Sequence, residues 1–383
     1  MVENTKSTDD CCATSCCCAA NPQPQSGETP AVPPFRWLAG EIDTPADKVP
    51  VAATRLTFAD HMGSWKVRWG LGRMRYSIDP GLYAVGSPTP DSPVLLSANF
   101  KLSFDHLRSR LGGRDAWVLV LDTKGINVWC AAGKGTFGTD EIVRRIADAR
   151  LAEIVTHRRL IAPQLGAPGI CAHEVKHRSG FRVSYGPVRA EDLPAFLDAG
   201  MKANTRMRRV RFPLRDRLVL IPVELVASLK YALVFACAFA VLAGINASGY
   251  EVSRVATLGV TSSGFLLAGW LCGTVVTPIL LPWLPGRAFA LKGVGVGLLC
   301  LLGCAWFVLG SGRDTAAEAP SWATVAAWIL IIPAVTSFLA MNFTGSTTFT
   351  SLSGVLKEIR IALPLQIGAA VTGLALWVTG LFL

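Results

Sequence analysis

The sequence lacks several features that mark common classes of protein. Residues 1–34 contain no apolar run, so we expect no cleavable signal peptide there. The 11 cysteines show no ferredoxin-type spacing, which argues against an iron–sulfur cluster held by this chain itself. Acidic side chains do not recur along the long apolar segments, which argues against an ion-coupled transporter.

Charged residues and long apolar stretches occupy different parts of the 383-residue chain. Residues before about 218 are mixed and charged, whereas long uncharged stretches follow, so the pattern predicts a soluble domain at 35–217 and a membrane domain at 218–383. A transmembrane helix needs about 20 apolar residues. Segments that meet this length are predicted near 224–247, 257–282, 289–310, 321–342 and 361–383.

The net charge of +10 has a local explanation. Six arginines crowd the stretch before the first apolar segment: Arg206, Arg208, Arg209, Arg211, Arg215 and Arg217. Basic residues beside a membrane helix follow the positive-inside rule, so we expect no nucleic-acid partner. With the basic residues predicted in the second and fourth connections (Arg287, Lys292, Lys357 and Arg360), the rule places the N-terminal domain in the cytoplasm and the C-terminus outside the inner membrane.

Residues 1–34 are rich in Pro, Ser and Thr, which predicts a disordered tail. The tail holds a dense group of cysteines: Cys11, Cys12, Cys16, Cys17 and Cys18. Soft thiolates favour soft metal ions, so the tail is either a metal-capturing segment or a dispensable one.

Residues 90–217 alternate between strand and helix signals. Strands are predicted at 94–100, 116–122, 159–163 and 181–185, with helices at 104–111, after an N-cap at Thr139, and at 192–197. This alternation predicts an α/β fold with a parallel, doubly wound, Rossmann-like sheet. The aromatic residues of 35–90 indicate packed structure, for which a small β layer is one arrangement.

One stretch, Asn127-Val-Trp-Cys-Ala-Ala-Gly-Lys134, follows the strand at 116–122 and is expected to form a short helix capped by Asn127. Open α/β sheets bind ligands outside the carboxyl ends of their strands. We therefore expect a ligand between three loops: residues 97–99, the loop that carries Cys130, and residues 163–169.

This stretch resembles the signature of the corrinoid-binding subunit of the microbial mercury-methylation pair, a family related to the corrinoid domain of the corrinoid iron–sulfur protein. The resemblance extends over 97–102, 163–169 and 186–190, and so covers most of residues 90–225. It implies a cap helix beneath the corrinoid ring, with Cys130 as the lower axial ligand of cobalt. The D-x-H-x-x-G motif, which supplies a histidine beneath cobalt in many cobalamin enzymes, is absent.

The resemblance implies a membrane-anchored corrinoid-dependent methyltransferase that passes a methyl group from methyl-Co(III) to Hg(II) and forms methylmercury. It also implies a methyl donor from the folate pathway and a separate ferredoxin-like partner with two 4Fe–4S clusters. The residues expected to contact the corrinoid are Ser97, Asn99, Thr123, Asn127, Val128, Trp129, Cys130, Ala131, Ala132, Gly133, Lys134, Gln164, Gly166 and Gly169.

Two other functions fit parts of the sequence. His173-Glu-Val-Lys-His177 has the H-E-x-x-H spacing of zinc proteases, in which two histidines on one helix face bind zinc and Glu174 is the base. A glycine at position 180 limits that helix to about two turns. The second alternative is a membrane corrinoid carrier without catalytic turnover.

Overall fold

A computed structural model describes residues 37–310, 321–344 and 352–383. The predicted Cys-rich tail and most of the fourth connection lie outside these ranges. The described residues fall into two compact units, 37–234 and 235–383, so the helix Leu214–Leu242 contributes to both.

The first unit is built on a seven-stranded mixed sheet with the order β1-β2-β3-β5-β4-β6-β7. Its strands are β1 (Leu38–Asp43), β2 (Lys48–Ala52), β3 (Gly81–Val85), β4 (Val94–Ala98), β5 (Ala116–Leu121), β6 (Arg159–Ala162) and β7 (Arg182–Tyr185). The four strands predicted from sequence are β4 to β7, and each lies within two residues of its predicted start.

Strands β5, β4, β6 and β7 are parallel neighbours, as the sequence predicts. The prediction of a parallel sheet is wrong for the other side, where β3 runs antiparallel to β5 and β1 antiparallel to β2. The connection from β3 to β4 spans only residues 86–93, and a parallel crossover needs a dozen residues or more. β3 therefore enters the sheet in the opposite direction to β4.

Helices cover both faces of the sheet. They are α1 (Phe58–Arg68), α2 (Lys101–Arg108), α3 (Val128–Gly133), α4 (Thr139–Asp148), α5 (Leu151–Ile154), α6 (Ala172–Ser179), α7 (Leu193–Asp198) and α8 (Thr205–Arg208), with 3-10 turns at Arg73–Arg75, Gln164–Gly169 and Ala190–Asp192. Because side chains alternate along a strand, Leu96 joins one core with Ile142 of α4, and Leu95 joins the other with Phe104 of α2.

Two helix starts differ from their predictions. α2 begins at Lys101 rather than near 104. The N-cap of α4 is Gly138, and Thr139 is its first helical residue. The Thr139 hydroxyl instead accepts a hydrogen bond from the Cys171 backbone N–H at 2.9 Å, so it links α4 to the chain that enters α6.

A buried ionic cluster fastens α1 to α2. The Lys101 Nζ lies 2.6 Å from a carboxylate oxygen of Asp60 and 2.7 Å from one of Asp105, and the Arg108 Nε donates to Asp105 at 2.7 Å. Arg108 is completely buried. Because each charge in this cluster is compensated only by the others, removal of one member leaves an unbalanced charge in the core.

Replacing Arg108 with leucine is therefore expected to cost about 3–5 kcal/mol of local stability. Hydrogen exchange of the α2 amides measures this cost as a lower opening free energy. Arg110→Leu is the control, because its pair with Glu191 is about half exposed and should contribute no more than about 1 kcal/mol. Equal exchange in the two variants would contradict the role of the buried cluster.

The same cluster predicts sensitivity to acid. Burial alone would raise the pKa of Asp60, but hydrogen bonds from Lys101 and Thr57 outweigh it and hold this pKa well below its ordinary value. A lowered carboxylate pKa stabilises the fold above the unfolded-state pKa of about 4, and this stabilisation is lost as the pH falls towards the folded-state value. The melting temperature should fall between about pH 5 and pH 2, and less steeply in Asp60→Asn. Parallel profiles would contradict this assignment.

The helical part of the chain contains five described helices that are long and apolar enough to cross a membrane. They are α9 (Leu214–Leu242), α10 (Val252–Leu280), α11 (Phe289–Gly310), α12 (Trp322–Asn342) and α13 (Leu352–Gly380). α9 begins ten residues before its predicted start at 224 and therefore includes Arg215 and Arg217. Lys292 lies in the first turn of α11, and Lys357 and Arg360 lie in the second and third turns of α13, rather than in connections.

The second unit is centred on α12, the most buried of these helices. Gly293 and Gly297 of α11 allow close approach, because a Cβ on either would lie less than 3 Å from α12 backbone atoms. Gln366 of α13 donates to the Ser337 hydroxyl at 2.7 Å, which donates to the Ala290 carbonyl at 3.0 Å. Small residues and interhelical hydrogen bonds are typical of membrane helix packing. Among the described residues of this unit, a two-strand pairing, Ile245–Asn246 with Gly249–Tyr250, interrupts the helices.

Candidate functional site

The candidate site lies at the carboxyl edge of β4, β5 and β6. β4 is central, and the chain continues to β5 on one side of it and later to β6 on the other. Such a reversal of strand order opens a crevice at the strand ends, where α/β sheets bind ligands. The three loops predicted to meet there follow these three strands.

Asn99, directly after β4, holds the loop that follows β5. Its Oδ1 accepts hydrogen bonds from the backbone N–H groups of Thr123 at 3.1 Å and Gly125 at 3.0 Å. The Thr123 hydroxyl donates to the Ile126 carbonyl at 2.7 Å, and the Thr123 residue is fully buried. Asn99 and Thr123 therefore position the loop from beneath its surface.

The loop turns sharply at Lys124 and Gly125, which both have left-handed backbone angles, with φ of 58° and 69°. The Asp122 carboxylate stabilises this turn by accepting bonds from the Lys124 backbone N–H at 3.0 Å and from its Nζ at 2.7 Å. Burial alone would raise the pKa of Asp122, but these hydrogen bonds lower it below its ordinary value. The turn directs the chain into α3.

α3 confirms the predicted short helix at Cys130. The Asn127 side chain accepts a hydrogen bond from the Cys130 backbone N–H at 2.9 Å, as a helix N-cap does. Ala131 and Ala132 are buried in the core, whereas Cys130 is half-buried and Gly133 is exposed. The thiol thus belongs to the first turn of a helix whose inner side is made of alanines.

The 3-10 turn Gln164–Gly169 packs directly against α3 and the residues that follow it. A Cβ on Gly169 would lie 2.3 Å from the Phe137 carbonyl oxygen and 3.0 Å from Ala132 Cα. At Gly166 a Cβ would lie 2.5 Å from a Phe137 ring carbon. By contrast, nothing lies within 4 Å of a Cβ built on Gly133. Gly169 and Gly166 therefore serve internal packing, whereas Gly133 leaves open space beside α3.

Replacing Gly169 with alanine is expected to displace α3, because the new methyl group meets rigid backbone; overpacking of this kind costs about 1–3 kcal/mol. The measurement is hydrogen exchange of the α3 amides. Gly133→Ala is the matched control, since its methyl group enters open space and its exchange should stay at the wild-type rate. Unchanged exchange in Gly169→Ala would show that α3 does not depend on this approach.

The remaining predicted residues occupy different environments. Ser97 is buried within β4, and Gln164 accepts a hydrogen bond from Arg208 at 3.0 Å. Val128 and Trp129 are half-buried, and Lys134 is exposed at the end of α3. The structure therefore brings α3 and the Gln164–Gly169 turn together, whereas Ser97, two residues after Leu95 on β4, lies on the face of the sheet opposite α3. Contact of any of these residues with a corrinoid stays a prediction.

Two side chains near this edge, Cys171 and Glu141, were missed by sequence reasoning. The Cys171 sulfur lies 3.4 Å from the Nδ1 of His173, and its position two residues after Gly169 was the available signal. A Glu141 oxygen accepts from the Asp122 backbone N–H at 2.8 Å and from Arg145 at 2.7 Å. The bond to Asp122 connects α4 to the end of β5 across 19 residues of sequence, a separation that no local pattern indicates.

The H-E-x-x-H segment forms α6, an eight-residue helix. Its Glu174 carboxylate pairs with Arg178 at 3.3 Å, and His173 contacts Cys171. In the described ranges no three His, Cys, Asp or Glu side chains come together as a metal site would require. The described residues therefore do not complete a zinc-protease centre around His173 and His177.

Comparisons with known proteins match the same part of the chain. Residues 72–197 match the family model described as CO dehydrogenase/acetyl-CoA synthase delta subunit. The acetyl-CoA decarbonylase/synthase complex subunit gamma of Archaeoglobus fulgidus is 31% identical over 128 residues, which is 33% of this chain and 27% of that protein. The same subunit of Methanosarcina acetivorans is 33% identical over 130 residues, again 33% of this chain and 27% of that protein.

The chain therefore spans about a quarter of the length of these curated relatives. The matched residues run from the turn before β3 to α7 and include all three loops of the candidate site. They end before α9, so the apolar helices lie outside the match. The segment that builds the candidate site is thus similar to a part of subunits of an acetyl-CoA decarbonylase/synthase complex.

Proposed function

We propose that this chain is a membrane-anchored corrinoid protein that transfers a methyl group to Hg(II) and so forms methylmercury. The observation that carries the proposal is the position of Cys130 in the first turn of α3, capped by Asn127, at the carboxyl edge of the sheet. The similarity to methyl-transfer complex subunits, which belong to the corrinoid iron–sulfur protein family, supports the corrinoid part of the proposal.

The side chains around Cys130 fit a broad, flat ligand. The thiol is half-buried, so it is supported by protein on one side and accessible on the other. Open space surrounds the Cβ positions of Gly133 and Gly135, which lets a macrocycle approach the backbone. A thiolate is a soft donor suited to a transition metal. The donor and the small residues beside it are therefore compatible with a corrinoid over α3.

A bound corrinoid would supply a cobalt centre able to carry a methyl group. Cys130 would ligate that metal from the protein side and donate electron density, a polarity that suits an electrophilic acceptor such as Hg(II). The Asn127 side chain caps the first turn of α3, so it fixes the position of the Cys130 backbone that carries the thiol. Asn99 and Asp122 act one step further away, because they fix the turn that leads into α3.

We further propose the cellular arrangement that the sequence implies. The five apolar helices anchor the chain in the cytoplasmic membrane, with the α/β unit in the cytoplasm and the C-terminus outside. A folate-pathway donor supplies the methyl group. The family resemblance implies that a separate ferredoxin-like protein with two 4Fe–4S clusters supplies the electrons, in keeping with the lack of ferredoxin-type cysteine spacing in this sequence.

A corrinoid methyl carrier without mercury chemistry is the second candidate, favoured by the similarity to acetyl-CoA decarbonylase/synthase subunits. Loading the purified full chain with methylcobalamin, adding Hg(II) and quantifying methylmercury separates the two. We expect methylmercury to form in proportion to the protein and faster than with free methylcobalamin. Corrinoid retention without accelerated formation would identify a carrier and contradict the methyltransferase proposal.

A further inference from the structure

α1 and the turn after it expose an unusual amount of apolar side chain. We call this set the α1 apolar surface: Phe58, Met62, Trp65, Trp69, Leu71 and Met74. Phe58 is 79% exposed and Trp65 54% exposed. Steps of four, three and four residues place the first four members on one side of the helix. Exposed side chains of this size, gathered in one patch, are typical of an interaction surface.

Basic residues accompany this surface. Between positions 54 and 78 the chain has five lysines and arginines: Arg55, Lys66, Arg68, Arg73 and Arg75. The one acidic residue in this stretch, Asp60, is buried and paired with Lys101. The segment therefore carries a net charge of 5 − 1 = +4 and exposes no acid. An apolar helix face with Trp and Phe beside Lys and Arg has the composition of helices that lie in a membrane interface.

The turn after α1 lies against the first membrane-spanning helix. A Cβ on Gly70 would be 3.5 Å from the Cγ2 of Val223 in α9, and both residues belong to the same compact unit. Val223 lies early in the apolar part of α9: from Leu218 to Leu242 the charged residues are Glu224 and Lys230. The end of α1 is thus next to the part of α9 that enters the bilayer.

We propose that the α1 apolar surface is a membrane-docking surface, inserted into the boundary between headgroups and acyl chains of the bilayer that α9 crosses. Its ligand is an anionic phospholipid surface, which the surrounding lysine and arginine residues attract. Contact with α9 favours lipid over a soluble protein partner. Trp69 directly precedes Gly70, so it lies next to Val223, in the part of α9 that enters the bilayer.

Docking would also set the position of the candidate site. The Met74 carbonyl oxygen would lie 3.5 Å from a Cβ on Gly125, in the turn that leads into α3. The segment that touches lipid is therefore in contact with the segment that positions Cys130. A bilayer contact at α1 would hold this edge of the sheet at a fixed distance from the membrane, whatever reaction occurs there.

Photo-crosslinking in nanodiscs tests the proposal with the full chain. Phe58 or Trp65 is replaced by p-benzoylphenylalanine, with Glu153 of α5, which is 52% exposed, as the matched control position. After irradiation in phosphatidylglycerol nanodiscs, mass spectrometry should show phospholipid adducts at Phe58 and Trp65 at several times the yield at Glu153. Equal yields at all three positions, or adducts to polypeptide in place of lipid, would overturn the proposal.

The charge requirement has its own test. The double change Lys66→Glu and Arg75→Glu replaces two exposed basic side chains and should lower the lipid-adduct yield at Phe58 severalfold in phosphatidylglycerol nanodiscs. In phosphatidylcholine nanodiscs the same change should have little effect, because a phosphatidylcholine bilayer carries no net charge. A yield independent of lipid charge in both proteins would contradict the anionic-lipid assignment.

Discussion

Replacing Cys130 with alanine is expected to abolish methyl transfer to Hg(II) while leaving the chain folded and inserted in the membrane. The thiol is half-buried on the outer part of α3, so its loss removes a metal donor without opening a cavity in the core. The inner residues that hold α3, Ala131 and Ala132, are unchanged. Cys130→Thr should also be inactive, because a hydroxyl is a much weaker donor to cobalt than a thiolate.

The assay is methylmercury formation by membranes that contain equal amounts of each variant, checked by hydrogen exchange of α3. Cys171→Ala is the control, since it removes a second half-buried thiol near the same edge but outside α3, and it should retain activity. Full activity of Cys130→Ala would rule out a role for this thiol as metal ligand. Loss of activity in both variants would point to a general requirement for thiols.

Replacing Asn99 with alanine is expected to cause the second largest effect, the loss of corrinoid retention. The change leaves the backbone N–H groups of Thr123 and Gly125 without their acceptor inside the protein. An unsatisfied buried donor costs about 1–3 kcal/mol, so two of them are enough to release the turn at Lys124 and Gly125. α3 would then lose its fixed position, although Cys130 itself is intact.

Retention is measured as corrinoid absorbance that remains with the full chain after gel filtration, together with hydrogen exchange of residues 121–134. Asn99→Asp keeps the acceptor oxygen but brings a second carboxylate close to Asp122, because the Asn99 side-chain nitrogen lies 3.4 Å from an Asp122 oxygen. This variant should therefore retain an intermediate amount of corrinoid. Asn204→Ala removes an exposed N-cap of α8, which costs about 1 kcal/mol, and should leave retention unchanged. Wild-type retention in Asn99→Ala would contradict the positioning role.

Helices and strands that depend mainly on their own residues and close sequence neighbours were predicted from the sequence. Asn127 followed by small residues predicted the short α3, and the structure confirms both the helix and its cap. The strands β4 to β6 were predicted because each is a short, largely apolar run, and β7 because apolar and polar residues alternate from Phe181 to Tyr185. The five apolar helices were predicted from length and composition alone.

Features that depend on distant partners were not predicted. The antiparallel pairing of β3 with β5 joins strands more than 30 residues apart, and nothing within residues 81–85 indicates the partner. Lys101 and Asp60 are 41 residues apart, so their ion pair leaves no periodic signal. Gly169 is required by the Phe137 carbonyl, which only the folded chain brings near it. The candidate site was thus predicted as a set of loops, while the bonds that fix those loops were not.

The visible absorption spectrum of the full chain reconstituted with cobalamin tests the central claim most directly, with Cys130→Ala measured beside it. We expect the wild-type chain to retain corrinoid, with a spectrum distinct from that of free cobalamin because the Cys130 thiolate would coordinate the cobalt. The variant should lose this distinct spectrum while its fold is preserved. Identical spectra for the two proteins, or a folded wild-type chain that retains no corrinoid, would contradict the proposal that Cys130 binds the cobalt of a corrinoid.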